Sequence, residues 1–287
     1  MNAGSRREMG YDLALDNIGR SVEYSEGAAA SGHSSPPAKK TAAQWLPLWQ
    51  SVSRSSLINL LYTDSLIAAA LEHLDLQKGD SVLDLGCGTG TKTDAFRKLG
   101  MHSVGIDLDP GAINEATDNF PETSFQIGDV HQLPFSDNTF DAVFSLSVLQ
   151  YVDRKKVLSE CCRVLKPTGK AAFVEHLNRN PFVRLYRGAR RVCGWEYAPF
   201  LTPRGYIDWD DHVEFDEVFP EPILTARHLT SPVALVLPAI RRHFGGKDLT
   251  LDSSGVLRLL QQLDGFLLRR AWSLSRYCWF VLVTVTK

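Results

Sequence analysis

One stretch constrains the fold more than any other: Ser81-Val82-Leu83-Asp84-Leu85-Gly86-Cys87-Gly88-Thr89-Gly90. Its short apolar run, closed by glycines, predicts a buried parallel strand that enters a tight turn. The three glycines let the backbone approach a ligand without Cβ atoms in the way. A helix is expected from Thr91 to Leu99, stopped by Gly100. A ligand at such a turn meets the unpaired N–H groups of a helix N-terminus. The spacing is G-x-G-x-G rather than the dinucleotide pattern G-x-G-x-x-G, because Thr91 holds the sixth position. Asp84 lies two residues before the first glycine, where a carboxylate would repel a pyrophosphate. It suits a ligand that carries an ammonium group and no phosphate.

After the turn, strands and helices alternate. Ser103–Asp107, Ser124–Asp129, Asp141–Ser145 and Ala171–Val174 read as strands two to five. Helices are expected from Pro110 to Asn119 and, capped by Asp153, along Val157, Leu158, Cys161, Val164 and Leu165 up to Pro167-Thr168-Gly169. Such alternation implies right-handed parallel crossovers, with ligands at the carboxyl ends of the strands. Two acids sit at those ends. Asp107 lies about twenty residues past the glycines, where a carboxylate reaches ribose hydroxyls, and its two oxygens can accept from both. Asp129 can accept from an exocyclic amine such as adenine's. Either acid alone would be read as an ordinary loop carboxylate; three at successive strand ends form a pattern.

These residues resemble the class I S-adenosylmethionine (SAM) dependent methyltransferases. The turn with Asp84 is similar to that family's first motif. Gly128-Asp129-Val130 followed by Leu133-Pro134-Phe135 is similar to its adenine-binding stretch, most of all in the ubiquinone- and menaquinone-biosynthesis members. Phe140-Asp141-Ala142-Val143 and Arg163-Val164-Leu165-Lys166-Pro167-Thr168-Gly169 also look like the family, and the resemblance spans about residues 64 to 176. It implies an α/β, Rossmann-like, doubly wound sheet of seven mostly parallel strands whose last strand is antiparallel. It implies SAM as cofactor, with Asp84 near the methionine amino group and the backbone of Gly86, Cys87 and Gly88 facing it. Val130 would flank the adenine, and Leu108 and Ser145 complete the expected cofactor set. The remaining strands are expected at Ile223–Arg227 and Tyr277–Val285, with helices at Val233–His243 and Gly255–Trp272.

The flanks are less constrained. Residues 1 to 40 are poor in large apolar side chains and read as a flexible tail or a lid over bound substrate. From residue 41 a single methyltransferase domain is expected to run to residue 287. Apolar residues from Trp45 to Leu61 recur at helical spacing around Pro47, and a helix with Asp64 as N-cap follows from Ser65 to Leu74. Trp45 and Trp49 are read as core rather than as substrate contacts. Beyond His176 the family pattern stops. Residues 177 to 222 are rich in aromatics and too irregular for a strand, so they read as a cap. Trp195, Tyr197, Tyr206 and Trp209 would then line a pocket for a flat or apolar acceptor, or build the cap's own small core. Arg184, Arg187 and Arg191 fall at helical spacing and read as a solvated face.

Methyl transfer from a sulfonium needs alignment and, for some acceptors, a base. His176 or Glu175, at the end of strand five, is the candidate, although neighbours on a strand point to opposite faces. Tyr151, Gln150 and Tyr206 are alternatives, and a plain hydrogen-bonding role for His176 competes. A net charge of -2 gives no reason to expect nucleic acid as a partner. No apolar stretch is long enough for a membrane span. Five scattered cysteines without C-x-x-C spacing suggest free thiols, no metal site and a cytoplasmic enzyme acting on a small molecule. Two other classes stay open: an NAD-dependent oxidoreductase, disfavoured by Asp84 and the missing glycine, and a non-catalytic SAM-binding subunit.

Overall fold

The computed structural model describes residues 39–53, 63–192, 205–233 and 253–287. The expected lid up to residue 38, Leu57 to Leu61, Cys193, Trp195, Tyr197 and all but the start of the helix expected at 233–243 lie outside them.

The strands are β1 Ser81–Leu85, β2 His102–Asp107, β3 Ser124–Ile127, β4 Phe140–Leu146, β5 Leu165–His176, β6 Ile223–Arg227 and β7 Phe280–Thr286. They form one seven-stranded sheet in the order β3-β2-β1-β4-β5-β7-β6. β1 pairs in parallel with both β2 and β4, so the chain reverses its direction of travel across the sheet there. That reversal opens a crevice at the carboxyl end of β1. β7 runs antiparallel between β5 and β6, as expected.

Eight α-helices flank the sheet among the described residues: α1 Ala42–Val52, α2 Asp64–Leu74, α3 Thr91–Lys98, α4 Pro110–Asn119, α5 Arg154–Val164, α6 Pro181–Val192, α7 Val213–Asp216 and α8 Ser253–Arg270. Alternate strand residues feed two cores. On one face Val82, Phe144, Ala172, Val174 and Phe280 pack under α1, α2 and Phe96 of α3. Trp49 and Phe144 both meet the Phe96 ring edge-on, at 5.4 and 5.3 Å. Trp45 and Trp49 are core residues, as their spacing implied. On the other face Leu83, Leu85, Val143 and Phe173 pack under α5 and against Phe215 and Phe219.

Several boundaries differ from expectation. Thr63, not Asp64, is the N-cap of α2, and Asp64 is its fully buried first residue. β3 ends at Ile127, so Asp129 lies two residues past the strand. α5 stops at Val164 and the chain enters β5 at once. The pairing then jumps from Phe140↔Leu165 to Ala142↔Lys170, so Pro167-Thr168-Gly169 form an excursion inside the β5 range rather than a helix stop. β7 begins at Phe280 because Trp272–Tyr277 forms a 3-10 helix, closed by the Cys278 N–H on the Ser275 carbonyl.

Candidate functional site

The turn after β1 is the most tightly specified part of the crevice. Gly86 and Gly88 both adopt left-handed φ, +62° and +51°, which glycine alone enters without strain. A Cβ on Gly86 would collide with Val148, so only glycine lets the chain after β4 close onto the turn. A Cβ on Gly88 would meet nothing; its backbone borders open space. Asp107, at the end of β2, holds this turn from the side: its Oδ2 accepts the Gly88 N–H at 2.8 Å and its Oδ1 the Asp109 N–H at 3.0 Å. A carboxylate has about four lone-pair directions, so both oxygens can still accept from a ligand's hydroxyls. The Cys87 N–H donates to the Ile106 carbonyl. Burial pushes the Cys87 thiol up, so it stays protonated and serves as packing.

Asp84 lies beneath the turn. It is 2% exposed and accepts from Thr93 Oγ1 at 2.6 Å. Burial raises its pKa to about 7, against the Thr93 hydrogen bond and the nearby Lys92 charge. A cation placed beside it would pull that carboxyl back to its ionised form.

The β2–β3 rim supplies the other expected cofactor residues. Leu108 is 68% exposed, an apolar side chain standing at the crevice edge. Val130 is buried next to Asp129. Asp129 Oδ1 accepts from the His131 backbone N–H and pairs with His131 Nδ1 at 2.6 Å. These two bonds hold its carboxyl below the usual range. His131 Nε2 in turn accepts the Asp153 N–H, which places the ring proton on Nδ1. Asp153 caps α5 through the Lys156 N–H, as its position implied. The Asp129–His131–Asp153 chain was not foreseen, because nothing local marks a contact across 22 residues. Ser145 lies on the Leu85–Phe173 row, fully buried, with no hydrogen-bond partner for its hydroxyl.

Glu175 and His176 separate onto opposite faces. Glu175 is fully buried on the α5 side. Its Oε1 accepts the N–H groups of both Val148 and Leu149 at 2.9 Å. Burial raises its pKa to about 8, countered by these bonds. Glu175 therefore fastens the loop after β4 and does not face the same side as His176. His176 shares the face of Asp84. The register pairs Asp84 with Phe144 and Phe144 with Ala172, so His176, four residues on, is level with Gly88. It stands two strands to the side, about 10 Å away. Its ring packs on Phe280 at 4.3 Å and lies 5.8 Å from Trp279 and 6.4 Å from Tyr206. Nδ1 has no hydrogen-bond partner. Burial, aided by the Arg187 charge, lowers its pKa to about 3.

The cap splits between the two readings. Residues 206–208 run beside the end of β5 through a Leu177↔Ile207 bridge, which brings Tyr206 to His176. Arg187 stacks on the Tyr206 ring at 3.6 Å, so it does not belong to a solvated face. Trp209 instead packs edge-on against Trp272 at 5.6 Å, beside the core on the Glu175 side. Gln150 is buried and donates to the Ser147 carbonyl, and Tyr151 is half exposed. Asn180 was missed by sequence reasoning. Its Oδ1 caps α6 through the Phe182 and Val183 N–H groups, and its amide donates to the Leu229 and Tyr277 carbonyls. The Asn-Pro step before a helix was the available signal. A cavity of about 370 Å³ between Gln150, Arg154, Gly205 and Glu214 opens nearby, and its lining includes neither His176 nor Tyr206. Arg154 there is bound by Asp211 and Glu214.

Residues 83–173, from β1 through most of β5, match the protein family described as Methyltransferase domain. Over these residues the chain is similar to methyltransferase domains. Among curated relatives, it is 35% identical over 118 residues to a demethylmenaquinone methyltransferase of Paenarthrobacter aurescens, covering 41% of this chain and 46% of that one. It is 35% identical over 147 residues to a ubiquinone biosynthesis O-methyltransferase of Xanthomonas oryzae pv. oryzae, covering 49% and 59%. The matched segment thus spans about half the length of these relatives. The methyltransferase fold extends further than the sequence match. A putative sarcosine dimethylglycine methyltransferase from Galdieria sulphuraria superposes with a TM-score of 0.51 at 18% identity, covering 86% of this chain and 97% of that one. Phosphoethanolamine N-methyltransferase 2 of Haemonchus contortus, solved with SAM, gives 0.50 at 18% identity, covering 76% and 51%.

Among the described residues no group of side chains could hold a metal, and no helix is long and apolar enough to cross a membrane. Cys87, Cys161, Cys162 and Cys278 are free thiols.

Proposed function

We propose that this chain transfers a methyl group from SAM to a flat, apolar small-molecule acceptor. The observation that carries the reading is the turn itself: a left-handed Gly88 bordering open space, pinned by the Asp107 carboxylate, with Asp84 buried below. SAM supplies an activated methyl group that needs only an aligned nucleophile. Asp107 keeps acceptor capacity for ribose hydroxyls, Leu108 and Val130 offer apolar surface to adenine, and Asp129 has a second oxygen for an exocyclic amine. The acceptor's place is the edge of β5, where His176, Tyr206 and Phe280 make an aromatic wall level with the turn. The names of the relatives point to quinones, whose flat rings suit such a wall. Free thiols suit a reducing compartment, and we place the enzyme in the cytoplasm on that ground.

His176 fits an orienting role better than a proton-accepting one. A group with a pKa near 3 is neutral at physiological pH, and it is a weak sink for the proton of a phenol with a pKa of about 10. Its imidazole instead offers a hydrogen bond that orients the acceptor. His176→Ala is therefore expected to lower turnover roughly ten-fold, about the worth of one hydrogen bond. The shape of the pH–rate profile should not change. A loss of about 10²–10⁴-fold, with a titrating limb removed, would restore general-base catalysis.

Calorimetry with SAM, S-adenosylhomocysteine and NAD tests the cofactor reading. Affinities for the first two in the micromolar range, typical of metabolite sites, are expected. Binding of NAD alone would overturn it.

A further inference from the structure

The cavity beside the start of α5 holds an unused hydrogen-bond acceptor. Gln150 lines this cavity of about 370 Å³, is 7% exposed, and its Oε1 is buried with no hydrogen-bond partner. A buried carbonyl oxygen without a donor costs stability, and native structures rarely keep one without a reason. The amide cannot mend this by turning over. Its Nε2 donates to the Ser147 carbonyl at 3.1 Å, and a flipped amide would set oxygen against oxygen there. The loop around it is equally fixed. Glu175 Oε1 holds the Val148 and Leu149 N–H groups, the Tyr151 N–H donates to the Val148 carbonyl, and the Asp153 N–H donates to His131. Gln150 Oε1 is therefore a preorganised acceptor, and the volume it borders suits a small molecule.

The rest of the lining narrows the ligand. Both cations there are already answered, Arg154 by Asp211 and Glu214 and Lys155 by Glu217. An entering anion would have to displace one of these carboxylates and would also meet Asp153. An uncharged O–H or N–H donor meets no such obstacle. The cavity also adjoins both halves of the site. Val148, two residues before Gln150, closes on Gly86 of the glycine turn. Gly205 of the lining directly precedes Tyr206 of the aromatic wall.

We propose that this cavity takes a hydroxyl or N–H edge of the acceptor, which donates to Gln150 Oε1, and that Gln150 thereby selects acceptors carrying an uncharged donor. This rests on the methyl-transfer reading above and narrows its acceptor from a flat apolar body to one with a donor on one edge. Gln150 is here a specificity residue and takes no proton. The ligand's donor would give the buried oxygen the partner it lacks, so an analogue without that donor leaves the oxygen stranded and binds more weakly.

The test uses two probes of similar shape: catechol, which carries O–H donors, and 1,2-difluorobenzene, which carries none. Each is titrated by ligand-observed NMR into the full chain, with and without S-adenosylhomocysteine. The native chain should bind catechol about ten-fold more tightly, although the fluorinated ring is the more hydrophobic. Gln150→Leu should weaken catechol roughly ten-fold and leave 1,2-difluorobenzene and S-adenosylhomocysteine within about three-fold. Equal affinity of the native chain for the two probes, or no binding of catechol, overturns the proposal without any variant. So does native catechol affinity in Gln150→Leu. Equal loss of all three ligands in that variant also overturns it, since Gln150 would then only prop the loop that closes on Gly86. A native chain that binds catechol through Gln150 but not S-adenosylhomocysteine keeps this site and loses the methyl-transfer reading. One that binds S-adenosylhomocysteine but prefers neither probe keeps that reading and loses this site.

Discussion

Asp107→Ala is expected to weaken S-adenosylhomocysteine binding by about 3 kcal/mol, roughly a hundred-fold. Two losses combine. The ribose hydroxyls lose a charged acceptor, and the Gly88 N–H loses the oxygen that holds it at 2.8 Å. The Asp109 N–H loses its partner as well, and that residue caps α4 through the Gly111 N–H, so the loop after β2 loosens with the turn. Asp107→Asn separates the two effects. Its amide oxygen can still accept from Gly88 but carries no charge, so an intermediate loss is expected. The melting temperature should move little, because Asp107 lies at the half-buried mouth of the crevice rather than in either core. An unchanged dissociation constant for Asp107→Ala would remove this residue from the site.

The cofactor half of the molecule was legible because its signals are local. The run Val82–Leu85 could only be a buried strand, and Gly86 and Gly88 take the left-handed φ that their identity announced. The helix read from Pro110 to Asn119 is α4 to the residue, and the structure shows Asp109 capping it. The acceptor half was less legible because its contacts are long-range. Arg187 sits on a helix face that reads as solvated, yet Tyr206 covers it from 19 positions away, brought there by a bridge between residues 177 and 207. Trp209 and Tyr206 are alike in sequence context, and only the packing separates a core residue from a neighbour of His176. Alternation placed Glu175 and His176 on opposite faces, but not which face the crevice occupies. Lys92 was legible as a helix residue and not as a buried charge, since nothing in its neighbours in sequence says that Trp49 lies over it.

Glu175→Gln should make the protein more stable at pH 8 while leaving it about as stable as the native chain near pH 5. The carboxyl is fully buried, and its folded pKa is about 8. In the unfolded chain it returns to about 4.3. Between those values the folded state keeps a proton that the unfolded state has released. Stability therefore falls as pH rises through this window, by at most about 1.4 kcal/mol per pH unit. Accumulated to pH 8 the difference is on the order of 4 kcal/mol. Glutamine keeps an oxygen for the Val148 and Leu149 N–H groups and never ionises, so it removes this slope. Asp84, also raised by burial, contributes a slope of the same sign, but it is present in both proteins and cancels in their difference. Urea unfolding at pH 5, 6.5 and 8 should show the two curves diverging, and parallel curves would refute the assignment. Glu175→Ala shares the flat pH profile but is expected to start about 2–4 kcal/mol below the native chain near pH 5, because two backbone donors are stranded. Since Val148 is the residue that closes on Gly86, the alanine variant should also loosen the glycine turn and weaken S-adenosylhomocysteine, which the glutamine variant should not.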